Sequence, residues 1–207
     1  MARLLLIRHA PTEETGRSLT GRLTGHQLSD SGRQMAAAVA ERLAGINLAA
    51  LYSSPLERTW ETAEVIAARQ RPRSARVVTE HEGLLEVDYG AWSGRSLRSL
   101  YRLRAWRTVM TTPSRVRFPG GESLMEAQVR AVATCEELAG RHRGRLVGAV
   151  THADIIKAVA SHYLGQPLDL FNRLIIAPAS VTVIDLPAEG SPRLVTINSN
   201  GDPTTWN

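Results

Sequence analysis

The feature that most constrains the fold of this chain is the alternation of short apolar runs with longer stretches of helical periodicity. The clearest apolar runs have the composition of buried parallel strands and span residues 3–8, 48–53 and 146–151. Helical stretches follow them at residues 29–43, 54–68 and 153–164. Because strand–helix alternation builds parallel sheets, the pattern predicts a three-layer α/β/α sandwich with a mainly parallel sheet.

Two of the helical stretches begin with residues that are typical of helix N-termini. Ser29 is predicted to cap the first helix. The apolar stripe of this helix would consist of Met35, Val39 and Leu43. The sequence Ser54-Pro55-Leu56-Glu57 combines a capping residue, a proline suited to the first helical position and an acidic residue three positions after the cap. The second helix is therefore predicted to begin at Ser54.

The remaining elements have weaker patterns. A short strand is predicted at residues 76–79 and a helix at residues 122–139. A C-terminal hairpin is predicted from strands at residues 180–186 and 193–198, and a loosely ordered tail is expected beyond Gly201.

The segment 94–121 interrupts the alternation. We predict a single domain over residues 1–207, in which this segment is a small insertion that covers one end of the sheet. The arginines of the insertion are Arg95, Arg98, Arg102, Arg104, Arg107, Arg115 and Arg117. They are either a solvated helix face or an extension of a positive pocket toward a second acidic group of a substrate.

The composition argues against several classes of protein. No apolar run approaches the ~20 residues of a membrane-spanning helix, and the N-terminal run lacks the features of a signal peptide. Cys135 is the only cysteine, which fits a cytoplasmic protein, and we expect it to be a small core residue. The net charge is +5, but the basic residues are dispersed and aromatic residues are only 5%, which argues against a nucleic-acid partner.

Histidine and charged side chains stand where the predicted strands end. Arg8 and His9 end the first strand, and His152 follows the third. Arg58 lies in the first turn of the helix after the second strand, and Glu86 precedes a compact turn. Because open α/β sheets bind ligands at the carboxyl ends of their strands, we expect these groups to share one pocket. Arginine forks match phosphate oxygens and a neutral imidazole is a competent nucleophile, so the set predicts a phosphoryl site. The sequence has no metal-binding motif, and neither a metal nor a cofactor is expected.

The same residues stand in blocks that resemble, in order, those of the histidine phosphatase superfamily in its phosphoglycerate-mutase-like branch. The blocks are Arg8-His9, residues 25–29 with Gly32, residues 53–59 with Thr62-Ala63, Leu85-Glu86 with Gly90, Trp92 and Gly94, residues 119–123, and Thr151-His152. The resemblance extends from residue 3 to about residue 186. It implies the fold of that family and a metal-independent phosphomonoesterase that acts on a small phosphorylated metabolite.

The resemblance also implies residue roles. His9 would be the nucleophile that becomes phosphorylated, and Glu86 would protonate the leaving group and later activate water. The implied phosphate-binding residues are Arg8, Arg58, His152, Thr15 and Ala153. The chain departs from the family pattern at a few positions. Thr15 stands where the family often has asparagine. Ala10 follows the first histidine, where the conformationally freer glycine is typical, and Ala153 follows the second histidine.

Other functions stay open at this point. A phosphomutase would use the same phosphohistidine but return the phosphoryl group to a second hydroxyl of the substrate. An inactive anion-binding module is disfavoured because every group of the proposed chemistry is present. The C-terminal strands could supply an edge for pairing, so a homodimer is a further possibility.

Overall fold

The computed structural model describes residues 2–71 and 73–206, which contain six β-strands and six α-helices. The strands are β1 Ala2–Arg8, β2 Ala50–Ser53, β3 Val78–Glu80, β4 Leu146–Thr151, β5 Val181–Leu186 and β6 Arg193–Ser199. The helices are α1 Asp30–Leu43, α2 Glu57–Ala67, α3 Leu97–Leu100, α4 Arg104–Thr111, α5 Leu124–Arg141 and α6 Ala153–Tyr163. Every strand and long helix predicted above is present, with ends shifted by a few residues.

The strands form one sheet in the order β3-β2-β4-β1-β5-β6. The first four strands in this order are parallel to one another, and β5 and β6 add the predicted antiparallel hairpin. In the pair β1 and β4, Arg8 lies opposite Thr151. Since both strands end at the same level, the residues that follow them, His9 and His152, leave the sheet side by side.

Helices cover both faces of the sheet. Side chains alternate along β1, so that Leu4 and Leu6 pack in the cluster formed with α5 and α6. Leu5 and Ile7 pack in the opposite cluster with α1 and α2. This arrangement confirms the predicted α/β/α sandwich with a mainly parallel sheet, and it explains why β1 is apolar on both sides.

Helix α1 begins as predicted, but its buried face differs. The Ser29 hydroxyl accepts a hydrogen bond from the Gly32 backbone N–H, which confirms the cap. The buried residues of the helix are Gly32, Ala36, Val39, Ala40 and Leu43. Met35 is exposed, so its assignment to the apolar stripe is wrong. The helix packs through small alanines, which a search for large apolar residues overlooks.

Helix α2 begins at Glu57, with Leu56 at its N-cap, and not at Ser54. No side chain caps this helix, so the predicted capping box is wrong. The Ser54 hydroxyl lies 2.9 Å from Nε2 of His152, and the Glu57 carboxylate accepts a hydrogen bond from the Gly25 backbone N–H at 2.8 Å. Ser54 and Glu57 thus contact residues that are distant in sequence and do not form the local hydrogen bonds of a capping box.

The segment 94–121 contains α3, α4 and a 3-10 turn at Pro113–Arg115. Trp106, Val109 and Phe118 anchor it in the same cluster as α5 and α6. Within the described ranges, no helix is both long and apolar enough to cross a membrane.

The residues beyond Gly201, for which a loosely ordered tail was predicted, contact the domain through Trp206. A 3-10 turn spans Pro203–Trp206, and Trp206 is buried in the cluster that holds α1 and α2. The Arg3 guanidinium donates a hydrogen bond to the Trp206 carbonyl at 2.9 Å.

Candidate active site

A cavity of about 460 Å³ lies at the carboxyl edge of the parallel strands. Six of the predicted site residues line it, namely Arg8, His9, Thr15, Arg58, Glu86 and Ala153. These residues come from the end of β1 and the loop after it, the start of α2, the loop before residue 90, and the start of α6. The structure therefore brings together residues that are far apart in sequence, as the ends of parallel strands predict.

His9 is buried, and its ring orientation is set by the backbone. Nδ1 lies 2.7 Å from the Ala10 carbonyl oxygen. Because a carbonyl only accepts hydrogen bonds, Nδ1 carries the proton and Nε2 carries the lone pair. Burial, together with the positive charges of Arg58 and Arg8, holds the pKa of His9 well below its usual value. The imidazole is therefore neutral and has a free lone pair throughout the physiological pH range.

Two arginines bring positive charge to the cavity. Nη1 of Arg8 donates to the Ile176 carbonyl at 2.5 Å, and Nη2 of Arg58 donates to the Gly21 carbonyl at 2.6 Å. Arg58 is only 2% exposed. Nε of Arg8 and Nη1 of Arg58 are buried and have no hydrogen-bond partner among the described residues. Unpaired buried donors are costly, and the oxygens of a bound anion would satisfy them.

His152 lies behind this cavity and is not part of its lining. Its ring centroid is 5.2 Å from that of His9. Nδ1 accepts a hydrogen bond from Arg58 at 3.3 Å, so Nε2 carries the proton and donates to the Ser54 hydroxyl at 2.9 Å. Both ring nitrogens thus have partners, and a direct bond to a phosphate would replace one of them. In the described arrangement His152 orients Arg58 and packs against His9.

Glu86 is a buried carboxyl beside these cations. Burial and the neighbouring Asp154 carboxylate raise its pKa to about 7, although the Val87 backbone N–H, Arg58 and Arg8 favour the ionised form. The carboxyl is therefore about half protonated near neutral pH. A group of this pKa can both give and take a proton under physiological conditions.

The pKa of Asp154 moves in the opposite direction. Burial opposes its ionisation, but the Lys157 ammonium at 3.0 Å and the Tyr89 hydroxyl at 2.7 Å hold its pKa below the usual value. The pKa values of two nearby carboxyl groups are thus shifted in opposite directions, upward for Glu86 and downward for Asp154. Such separation is typical of sites that use an acid in catalysis. Asp154 and Tyr89 were not among the site residues predicted from the sequence, although Asp154 lies in the first turn of the helix that follows His152.

A second group of residues, which was also not predicted from the sequence, holds the backbone around Glu86. Oε1 of Glu122 accepts hydrogen bonds from Arg22 at 3.0 Å and from Arg130 at 2.8 Å. Arg22 also donates to the Glu86 carbonyl at 2.8 Å. Gly90 permits the close approach of this loop, since a Cβ on it would lie 2.2 Å from a backbone carbonyl oxygen of the loop that precedes Glu122. The block at residues 119–123 was noted in the sequence, but the connection of Glu122 to Glu86 through Arg22 was not.

The raised pKa of Glu86 predicts a pH-dependent stability. Since the folded state binds this proton more tightly than the unfolded chain does, stability falls as the pH rises from about 4.5 to about 7. Glu86→Gln removes this dependence, so above pH 7 the variant should be more stable than the natural protein by roughly 2–3 kcal/mol. Urea unfolding at pH 5 and pH 8 measures the difference. The exposed Glu82→Gln is the control, and equal pH dependence in all three proteins would contradict the assignment.

The loop after His9 holds Thr15 in a turn. The Thr15 hydroxyl accepts a hydrogen bond from the Thr12 backbone N–H at 2.9 Å, and it lies 3.3 Å from the Thr12 hydroxyl, where either oxygen can be the donor. Ala153 is the first residue of α6, where backbone N–H groups have no helical partner. Among the described non-glycine residues only Ala179 and Asn198 have positive φ, so alanine at positions 10 and 153 introduces no backbone strain.

The arginines of the segment 94–121 do not line the cavity. Apart from the half-buried Arg95 they are exposed. Arg98 and Arg102 border a shallow surface groove with Arg17, and this groove touches the mouth of the cavity at Leu97 and Tyr101. The geometry therefore favours the interpretation of a solvated face, and apolar side chains of this segment face the cavity instead.

Cys135 and the histidines outside the predicted site lie away from the cavity. Cys135 is buried, and burial raises the pKa of its thiol to about 12, so it is the expected core residue. His162 is exposed on α6. His142 contacts the Tyr52 hydroxyl at 2.9 Å, and His26 borders a different surface pocket. Within the part of the chain that the structure describes, no cluster of His, Cys, Asp or Glu could hold a metal ion.

The fold and the site together define an α/β protein with a cavity that two guanidinium groups make positive, beside a neutral histidine with a free lone pair. The chain belongs to the histidine phosphatase superfamily (branch 1), whose family model matches residues 4–200. This confirms the resemblance drawn from the sequence blocks.

Several known proteins are similar to this chain over most of its length. Phosphoserine phosphatase 1 of Hydrogenobacter thermophilus is 32% identical over 191 residues, which cover 90% of this chain and 87% of the relative. A probable phosphoglycerate mutase of Salmonella choleraesuis is 30% identical and aligns over 89% of this chain and 85% of its own. The crystal structure of a phosphoserine phosphatase mutant from Entamoeba histolytica, in complex with phosphoserine, superposes with a TM-score of 0.84 at 25% identity and covers 96% of this chain and 98% of its own.

Proposed function

We propose that this protein is a metal-independent phosphomonoesterase that hydrolyses a small phosphorylated metabolite through a phosphohistidine at His9. The observation that carries the proposal is the neutral His9 imidazole in one cavity with two guanidinium groups, each of which has a buried, unpaired N–H donor. The names of the relatives, phosphoserine phosphatase among them, support the same class of reaction.

In the first step, Nε2 of His9 attacks phosphorus and forms a nitrogen–phosphorus bond while the phosphorus–oxygen ester bond breaks. Arg8 and Arg58 bind the nonbridging oxygens, where negative charge is concentrated. Glu86 gives its proton to the leaving oxygen, which departs as an alcohol. No further positive group is needed at the phosphoryl oxygens, and in this mechanism the fixed guanidinium groups act where other phosphatases use metal ions.

In the second step, water attacks the phosphorus of phospho-His9. Glu86, now a carboxylate, takes a proton from the water, and the nitrogen–phosphorus bond breaks to release inorganic phosphate. His9 regains its lone pair and Glu86 its proton. A pKa of about 7 suits Glu86 for both roles because neither protonation state is strongly disfavoured near neutral pH. His152 supports both steps by orienting Arg58, and Thr15 and Ala153 add donors from the loop and the helix N-terminus.

Release of phosphate from p-nitrophenyl phosphate in the presence of excess chelator tests this proposal. We expect steady turnover that is unchanged by the chelator, since every catalytic and phosphate-binding group in the mechanism belongs to the polypeptide itself. The control is a chelator titration with the same substrate after addition of magnesium or zinc salts. Turnover that appears only with an added divalent metal would contradict the mechanism.

A phosphomutase is the second candidate, because a relative of similar identity is described as a probable phosphoglycerate mutase. It would use the same first step and then transfer the phosphoryl group to another hydroxyl of the bound product. Conversion of 3-phosphoglycerate to 2-phosphoglycerate without net release of phosphate would favour this function. Exposed residues at the cavity mouth, such as Ile175, leave the site open to water, which favours hydrolysis.

We also propose that residues 1–207 act as one cytoplasmic domain, with the segment 94–121 over the active site. The single cysteine supports the location, and the anchoring of Trp106 and Phe118 in the core supports the arrangement. The edge strand β6 is the surface on which a homodimer would form, and size measurement in solution tests this.

A further inference from the structure

The outer half of the cavity is lined by apolar side chains from two parts of the chain. Leu97, Tyr101 and Met110 come from the segment 94–121, and Leu174 and Ile175 come from the loop that precedes β5. Tyr101 is 61% exposed, Met110 44% and Ile175 75%. Large apolar residues that stay exposed together around a cavity mark a ligand-binding surface, because their exposure is unfavourable without a ligand.

The cations of the cavity are concentrated at its inner end. The residues that line the cavity all lie in the described ranges. Among them, Lys157 is the only cation besides Arg8 and Arg58. Its ammonium is paired with the Asp154 carboxylate at 3.0 Å and lies 5.0 Å from the centre of the Phe171 ring. The charge of Lys157 is therefore already balanced by the Asp154 carboxylate. Beyond the two arginines that would bind the phosphoryl group, the lining residues offer no unpaired cation to a second anionic group on a substrate.

The other polar groups toward the mouth also favour an uncharged ligand. The Asn172 amide donates a hydrogen bond to the Val109 carbonyl at 2.7 Å and carries no charge, so it offers no ion pair to a second anionic group. Glu14 lines the cavity near Thr15 and would repel a carboxylate. The cavity thus has positive charge for one phosphoryl group and apolar surface for the remainder of the substrate.

We propose that the substrate is a phosphate monoester of an uncharged, largely apolar alcohol, whose hydrocarbon part lies against Tyr101, Met110 and Ile175. This inference rests on the proposed phosphatase function and specifies its substrate class. The proposed substrate differs from phosphoserine and phosphoglycerate, because each of those molecules carries a carboxylate in addition to its phosphate ester. The cavity of about 460 Å³ is large enough for a phosphoryl group and a medium-sized hydrocarbon chain.

A series of n-alkyl phosphates from ethyl to octyl tests the proposal. The leaving alcohols have nearly the same acidity, so differences in kcat/KM report contacts of the chain and not the chemistry of the ester bond. We expect kcat/KM to rise about threefold for each added methylene group until the chain leaves the cavity. Phosphoserine and 3-phosphoglycerate, measured in the same phosphate-release assay, should be poorer substrates than octyl phosphate.

Two variants of exposed residues sharpen the test. Ile175→Ser and Met110→Ser should each lower the ratio of kcat/KM for octyl phosphate to that for ethyl phosphate by about fivefold or more, because each removes several apolar groups from the mouth. Since both residues are exposed, the substitutions do not disturb the core. Arg107→Glu is the matched control: it is exposed in the same segment but outside the cavity, and its ratio should equal that of the natural protein.

The possible outcomes separate this inference from the proposed function. Hydrolysis of p-nitrophenyl phosphate with a flat response to chain length would overturn the inference alone. Faster hydrolysis of phosphoserine or 3-phosphoglycerate than of octyl phosphate would also overturn it and would indicate an anion subsite, for which the groove of Arg17, Arg98 and Arg102 is the place to look. Hydrolysis of none of these esters would overturn the proposed function, and the inference with it.

Discussion

Replacing His9 by alanine is expected to lower kcat for phosphate release by at least about 10³-fold, because the substitution removes the atom that accepts the phosphoryl group. The effect should be the same for aryl and alkyl phosphates, since both require the same nucleophile. Steady-state release of phosphate measures the loss. The natural protein, quenched during turnover, should also carry a phosphoryl group that is labile to acid and stable to base, and His9→Ala should carry none.

His162→Ala is the matched control for this experiment. His162 is exposed on α6 and does not line the cavity, so its replacement should change neither kcat nor the amount of phosphoenzyme. Full activity in His9→Ala would exclude the mechanism proposed above. Phosphoenzyme retained in His9→Ala would assign the nucleophile to another residue, of which His152 is the nearest candidate, with a ring centroid 5.2 Å away.

Replacing Glu86 by glutamine is expected to lower kcat/KM for octyl phosphate by about 10²–10⁴-fold, because an alkoxide is a poor leaving group without a proton donor. The loss should be much smaller for p-nitrophenyl phosphate, whose leaving phenolate needs little protonation. The natural protein should lose activity toward octyl phosphate as the pH rises above about 7, where Glu86 gives up its proton. This alkaline decline should be absent from the residual activity of Glu86→Gln.

The pH profiles of the natural protein and of Glu86→Gln are compared with the same ester, so ionisation of the substrate affects both profiles equally. Glu82→Gln is the control, because Glu82 is an exposed carboxylate in the same stretch of sequence. Equal losses for the alkyl and aryl esters would show that Glu86 positions the cations and does not donate a proton. In that case the Asp154 carboxyl would be the next candidate for the acid, as it lines the same cavity and its charge acts directly on Glu86.

The predictions made from sequence were most accurate where local pattern and tertiary structure agree. The strand β1 was predicted from an apolar run that alternates with helices, and in the structure the pairing of Arg8 with Thr151 brings the two histidines together. They failed where a polar residue had a choice of partners. Ser54 has the features of a helix cap, but it contacts His152, and no local rule reveals a partner 98 residues away.

The candidate site shows the same division. The positions of Arg8, His9, Arg58 and Glu86 in one cavity could be predicted, since each follows a strand that ends at the same edge of the sheet. The support of Glu86 by Arg22, Arg130 and Glu122 could not, because these contacts join four loops and helices whose relative positions depend on packing. The same is true of the apolar mouth: the segment 94–121 attracts attention in the sequence through its arginines, whereas its apolar side chains face the cavity.

The sequence by itself determined the class of fold, the family and the residues that can carry the chemistry, because periodicity and the order of motifs are properties of the chain. Only the tertiary structure decided the protonation states and the shape of the site. The neutral His9, the acid of pKa about 7 at Glu86 and the ionised Asp154 depend on burial and on charges that are distant in sequence. Electrostatic energies vary with distance and local polarity, and both quantities exist only once the chain is folded.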